Sequence, residues 1–181
     1  MRYGSREWFL QAPDEIRERR LRRSREEVAG LTAFEPADEG EAAYVWAHMR
    51  DEERGESRVD GFGERERLAA VLTAERSFAV YHGDALLALA VVHRLPGGRM
   101  FLSMERTTHA LERGHRFTWI RAYGPLARTL TDLVGDVFFA TPTDMPRALD
   151  VYRHAGAEMT GETMAVDGRN YWLLKIGREN G

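Results

Sequence analysis

An α/β domain behind a charged helical arm is the architecture that the sequence predicts. Three observations carry this reading. Apolar runs of strand length alternate with helix-period segments from Leu31 onward, glycine-bearing turns separate neighbouring strands, and residues 14–27 are almost wholly charged.

The stretch from Asp14 to Glu27 holds six arginines and five acids around only two aliphatics, Ile16 and Leu21. Opposite charges at i,i+4 suit an exposed helix, while two aliphatics five positions apart make no apolar stripe. Residues 1–30 therefore read as an arginine-rich arm and residues 31–181 as the domain. Leu31 to Phe34 predicts a short strand. Asp38 with Glu41 has the spacing of a capping box and opens a helix to about Glu53, with Ala43, Trp46, Ala47 and Arg50 at helical spacing. A loop with Gly55, Gly61 and Gly63 leads to a second helix over Glu64 to Thr73. Ser77 to Tyr81 and Ala85 to His93 predict a hairpin across His82-Gly83-Asp84, and Pro96-Gly97-Gly98 turns the chain into a third strand, Arg99 to Met104.

A long helix is expected over His115 to Leu133, with Phe117, Ile120, Tyr123, Ala127, Leu130 and Val134 marking its buried face. Gly124-Pro125 should kink or split it, because proline has no N–H and its ring clashes with the preceding turn. Asp136 to Thr141 reads as a strand. Thr143 or Asp144 is the expected cap of the next helix, which has Pro146 in its first turn and stops at Gly156. Glu158 to Val166 and Arg169 to Ile176 predict a closing hairpin across Asp167-Gly168.

Composition narrows the function classes. The chain has 181 residues, 43% of them hydrophobic, which is enough for a real core. A formal net charge of -3 argues against a general nucleic-acid binder. The absence of cysteine excludes disulfides, thiolate metal sites and a cysteine nucleophile. His93, His109 and His115 lack metal-ligand spacing, so no metal is assigned. The longest apolar run, Ala85 to Val92, is far short of a bilayer crossing, and the start has no apolar signal core, so no membrane association is expected. Of the 26 basic residues only Lys175 is lysine. A GC-rich coding habit accounts for most of these arginines, but six fall between Arg17 and Arg25, outside the predicted domain.

The element order from residue 31 to 177 resembles the GNAT (Gcn5-related N-acetyltransferase) family. The most specific stretch is Met145 to Ala157, MPRALDVYRHAGA, which is similar to the family's late helix motif, with Ala148, Val151, Tyr152 and Gly156 in register. Met145 and Ala157 depart from it, standing where asparagine and phenylalanine are usual. The resemblance implies a mixed, mostly antiparallel central sheet flanked by helices. It also makes Tyr152 the candidate acid that protonates a departing coenzyme A thiolate. The family's phosphate loop, R/Q-x-x-G-x-G/A, is not reproduced in Glu105 to Phe117, ERTTHALERGHRF. Gly114 is its one glycine, and Arg116 takes a position where a small residue is expected. Arg113, Gly114 and Arg116 are the candidate cofactor-binding residues, holding an anion by side chains rather than by a backbone cradle. For a general base, Glu53, Glu56 and Glu105 are the available acids, and Glu105 beside Tyr152 completes the candidate catalytic set.

A narrower resemblance joins MRDEERGES, FLSMERTT, FTWIRAYGPLARTL, VFFATP and MPRALDVYRHAGAEM to the GNAT-like small internal virion proteins of short-tailed phages. It implies a non-enzymatic particle protein that needs no cofactor and uses the fold as a scaffold. Its partners would be head, portal or tail components, in multiple copies per particle. The arm would dock them through Trp8, Phe9, Leu10, Arg17 and Arg20, with apolar side chains as plug and arginines as grip. The alternative expectation is an acetyl-CoA-dependent N-acetyltransferase acting on an amine. A DNA-binding arm ranks below both, because its acids largely neutralise it.

Overall fold

The computed structural model describes residues 23–54, 71, 73–166 and 168–177. The elements are β1 (Ser24–Val28), β2 (Leu31–Glu35), α1 (Glu39–His48), β3 (Arg76–His82), β4 (Ala85–Arg94), β5 (Met100–Arg106), a 3-10 turn (Thr108–Leu111), α2 (Arg116–Val134), β6 (Val137–Pro142), α3 (Pro146–His154), β7 (Glu158–Val166) and β8 (Arg169–Ile176). One sheet carries the eight strands in the order β1-β2-β3-β4-β5-β6-β8-β7. Every neighbouring pair is antiparallel except β5–β6.

β4 explains the layering. Its continuous apolar run is buried on both sides, as expected of a strand covered on two faces. Ala88, Ala90 and Val92 join the core under α2, with Leu126, Ala127 and Leu130, while Leu89 and Val91 join Val45 and Met49 under α1. The predicted capping box is present: Asp38 accepts from the Glu41 amide at 2.8 Å, and Glu41 accepts from the Asp38 amide at 3.0 Å. Glu41 is also the centre of a buried polar cluster. It takes both Nη groups of Arg23 at 2.7 and 2.9 Å and the Tyr81 hydroxyl at 2.6 Å, with no exposed surface of its own. That ion pair ties the entry to β1 onto the first turn of α1.

Four expectations need correction. Residues 24–28 form β1 in place of the end of a charged helix, so the sheet begins at Ser24. As an edge strand with four exposed positions, β1 needs no apolar alternation, and its charges protect the edge from further pairing. The remaining arm, with Trp8, Phe9, Leu10, Arg17 and Arg20, lies outside the described residues, as does most of the helix expected over residues 64–73. Of the kink or split expected at Gly124-Pro125, the split does not occur: α2 is one helix through Pro125. Its buried face is Trp119, Ala122, Leu126, Ala127 and Leu130, whereas Phe117 and Ile120 are 63% and 54% exposed. That face packs on the sheet core, and Gly124 gives room for the end of α3: a Cβ there would stand 3.2 Å from the Ala155 carbonyl oxygen. Finally, α3 has Met145 at its N-cap without a side-chain cap bond, though Pro146 opens it as expected.

The β1–β2 turn places Ala29 at φ 49 and Gly30 at φ 88. Left-handed alanine is costly, and asparagine tolerates that region far better. Ala29→Asn should therefore raise unfolding stability by about 0.5–1 kcal/mol in urea titrations. Removing one partner of the buried pair should do the opposite: Glu41→Gln leaves Arg23 uncompensated and should cost about 3–5 kcal/mol. The double change Arg23→Met with Glu41→Leu should recover most of that loss.

Candidate active site

The parallel ladder between β5 and β6 consists of two residue pairs, Met100 with Val137 and Phe101 with Phe138. Beyond them the strands splay. β5 stays paired with β4 as far as Arg106, and β6 stays paired with β8 as far as Pro142. A cleft of about 570 Å³ opens in the wedge, walled by Ser103 to Arg106, Ala140 to Pro142, α2, α3, β8 and the segment from Met49 to Glu53.

Register decides which side each β5 residue serves, because cross-strand partners share a face. Met104 and Arg106 lie opposite Ala90 and Ala88 and belong to the α2 side; Ser103 and Glu105 lie opposite Val91 and Leu89 and belong to the α1 side. Both pairs line the same cleft, so the splay joins the two faces of the sheet.

On the α2 side, Tyr152 of α3 packs edge-on against Phe139, with ring centroids 4.8 Å apart, and stands 5.7 Å from the Tyr123 ring. The Tyr123 hydroxyl acts on the Tyr152 phenol at short range. Burial pushes Tyr123 well above the usual phenol range. Burial also raises Tyr152, while the Tyr123 hydrogen bond and the Arg106 charge pull it back down. Arg106 is held by Glu53, whose Oε1 accepts from its Nε at 3.0 Å and its Nη2 at 2.9 Å. Thr141 of β6 is 1% exposed on the same wall, and its hydroxyl has no hydrogen-bond partner among the described residues. On the α1 side, Glu105 accepts from the Ser103 hydroxyl at 3.3 Å.

The loop from Thr107 to Arg116 is built differently from a phosphate cradle. Thr107 is pinned to β4, its amide donating to Leu87 O at 2.7 Å and its hydroxyl to Leu86 O at 2.8 Å. The amides of Ala110, Glu112, His115 and Arg116 donate to carbonyls of the loop itself. A Cβ on Gly114 would meet nothing within 4 Å, so that glycine serves no close approach. Arg113, Gly114 and Arg116 are exposed, and the Arg116 guanidinium lies 5.1 Å from the Phe117 ring centre.

The fold has parallels among solved structures. An acetyltransferase of the GNAT family from Bacillus anthracis superposes with a TM-score of 0.63 at 11% identity, covering 87% of this chain and 100% of that one. The ribosomal-protein-S5-alanine acetyltransferase of Vibrio fischeri gives 0.57 at 10% identity, covering 87% and 98%. The spermidine N-acetyltransferase of Vibrio cholerae, in complex with CoA and spermine, gives 0.57 at 14% identity, covering 82% and 96%. The chain has the GNAT acetyltransferase fold. No family model and no curated protein matches it.

These neighbours overturn the expectation of a virion scaffold. Each of the three is an acetyltransferase, none is a virion protein, and the narrower phage resemblance finds no support among them. Tyr152 and Glu105 line the cleft, whereas Arg113, Gly114 and Arg116 are outside its lining. Sequence reasoning missed Arg106, Tyr123 and Thr141 as site residues. Tyr123 was legible only as one member of a helical stripe, and the other two become visible only once strand register and splay are known. Because Gly114 has open space and no left-handed φ, Gly114→Ala should leave stability within about 0.5 kcal/mol of wild type, as measured by chemical denaturation.

Proposed function

We propose that the protein is an N-acetyltransferase that takes its acyl group from acetyl-CoA and transfers it to an amine. The observation that supports this best is the β5–β6 splay, with a phenol, an ion pair and an orphan hydroxyl gathered on its walls. A wedge between two strand edges suits an extended arm bearing amides, because such an arm can pair with unladdered backbone groups. The buried Thr141 hydroxyl adds a polar group lacking a partner in the protein. The residues thus fit the thioester arm. At the phosphate end five loop amides are already spent, and the exposed Arg113 and Arg116 offer positive charge.

When bound, acetyl-CoA supplies a thioester carbonyl that an amine can attack, with the C–N bond forming as the C–S bond breaks. Glu105, on the α1 side, takes the proton that the amine must lose. Glu53 is less suited to that task because it is committed to Arg106. Tyr152 gives its proton to the departing sulfur. With its pKa raised by burial, it holds that proton at neutral pH, so the donor is present in the required form. A phenol is a weaker acid than a thiol, whose ordinary pKa is about 8.5, so transfer to sulfur is uphill. The Tyr123 hydroxyl and the Arg106 charge offset part of the burial penalty on the phenolate without reversing it.

A direct assay is unusually clean, since the chain contains no cysteine and any thiol released must come from the donor. Thiol release from acetyl-CoA with a panel of amines should show turnover. Tyr152→Phe should lower kcat about a hundredfold or more with an unchanged melting curve. An unaffected rate would remove Tyr152 from the chemistry. Absence of any melting shift of the wild type in millimolar acetyl-CoA would remove the donor itself.

A further inference from the structure

We infer that the amine acceptor carries an anionic group, a carboxylate or a phosphate, and that Arg147 receives it. This rests on the acetyltransferase reading above and names the class of its second substrate.

The charges on the cleft walls carry the inference. Among the described residues these are four arginines and three glutamates. Most of them are matched within the protein. Glu53 holds Arg106 at 2.9 Å, Glu52 stands 3.5 Å from Arg50, and Arg169 is paired with Asp144 at 3.0 Å. Two charges lie outside these pairs. One is Glu105, which takes the amine proton in the mechanism. The other is Arg147, which has no hydrogen bond or ion pair among the described residues.

Their places in the fold set them on opposite walls. Arg147, Ala148, Val151 and Tyr152 follow the spacing i, i+1, i+4, i+5, so they form the face of α3 that lines the cleft. Arg147 stands in the first turn of that helix, five residues before the acid. Glu105 is near the end of β5, on the other side of the wedge. An acceptor that spans the cleft puts its amine at Glu105 and its far end at Arg147. A guanidinium presents a planar fork of donors that matches a carboxylate or a phosphate. A polyamine is the opposite match. Its second ammonium would have to take Glu52 or Glu53 away from an arginine, and it would meet the Arg147 charge on the far wall. A neutral amine would leave that charge unused.

Matched amines give the test, with thiol release from acetyl-CoA as the readout. Glycine, leucine and glutamate are each compared with their α-amides, O-phosphoethanolamine with ethanolamine, and spermidine serves as the cationic arm. The anionic member of a pair should be favoured about tenfold or more in kcat/KM, and the carboxylate and phosphate arms tell which anion is read. Arg147→Ala should collapse that preference about tenfold, through the KM of the acceptor. Arg147→Lys should restore part of it, because the charge returns without the fork. Arg147 is exposed, so neither change should disturb folding. Amides, ethanolamine or spermidine used as well as the anionic amines would overturn the inference. So would a preference that survives Arg147→Ala, or a loss confined to the KM of acetyl-CoA, which would assign Arg147 to the donor. Protein that binds acetyl-CoA, read by its melting shift, yet acetylates none of the anionic amines would also overturn it. Wild-type protein with neither a melting shift nor thiol release would instead overturn the acetyltransferase reading itself.

Discussion

The structure turns on the brevity of one ladder. Two half-sheets, β1 to β5 and β6-β8-β7, meet through Met100–Val137 and Phe101–Phe138 alone. Longer pairing would close the wedge, and none at all would leave the halves joined only by side chains. The core beneath bridges the seam: Leu102 from one half packs in the same cluster as Val137, Phe139 and Leu174 from the other, with Trp119, Ala122 and Leu126 of α2 below. Each such side chain contributes about 1.5–3 kcal/mol of burial, so apolar packing holds the seam more strongly than its few hydrogen bonds. Gly124 belongs to the same economy of space. It lets α2 approach the end of α3 closely enough to seat Tyr152 against Phe139.

Buried polar groups gather in two places, one structural and one on the cleft wall, and each contains one buried atom without a hydrogen-bond partner among the described residues, Arg23 Nε and Thr141 Oγ1. Glu41 accepts from a helix amide, two guanidinium nitrogens and a phenol, and none of these faces the cleft. Such a cluster fixes geometry; its net worth is small beside the penalty for breaking half of it. The cleft wall is organised differently. There burial raises the pKa of Tyr123 and Tyr152 while the Arg106 charge pulls both down, and Thr141 Oγ1 has no partner among the described residues.

Much of the fold was legible in the sequence wherever local chemistry dictates local shape. The Asp38–Glu41 box, the hairpin at Gly83, Pro146 at a helix start and the closing β7–β8 hairpin all act through nearest neighbours, and all are found in place. Tyr152 was legible through the motif it belongs to. β1 was not, because an edge strand of Ser24, Arg25, Glu26 and Glu27 has neither the alternation nor the apolar content that marks a strand. The α2 face misled for a related reason. Phe117 and Ile120 fit a helical stripe, but which side of the helix meets the sheet is set by long-range packing, and Gly124, buried against the end of α3, is a contact that no hydrophobic pattern registers. Arg106 and Thr141 were invisible in a stronger sense: their roles depend on pairings between strands distant in sequence.

The loop after β5 shows how a fold can keep its cleft while changing its grip. In the resemblance, successive amides hold phosphate; here the amides of Ala110, Glu112, His115 and Arg116 bond within the loop, and Thr107 staples it to β4 through two carbonyls. An N–H bonded in this way is not available to an anion, because each can serve only one strong acceptor at a time. Arg113 and Arg116 are exposed on the same loop, where charge attraction is screened by salt. The cleft between β5 and β6 stands apart from them, walled by Tyr123 and Tyr152 among others.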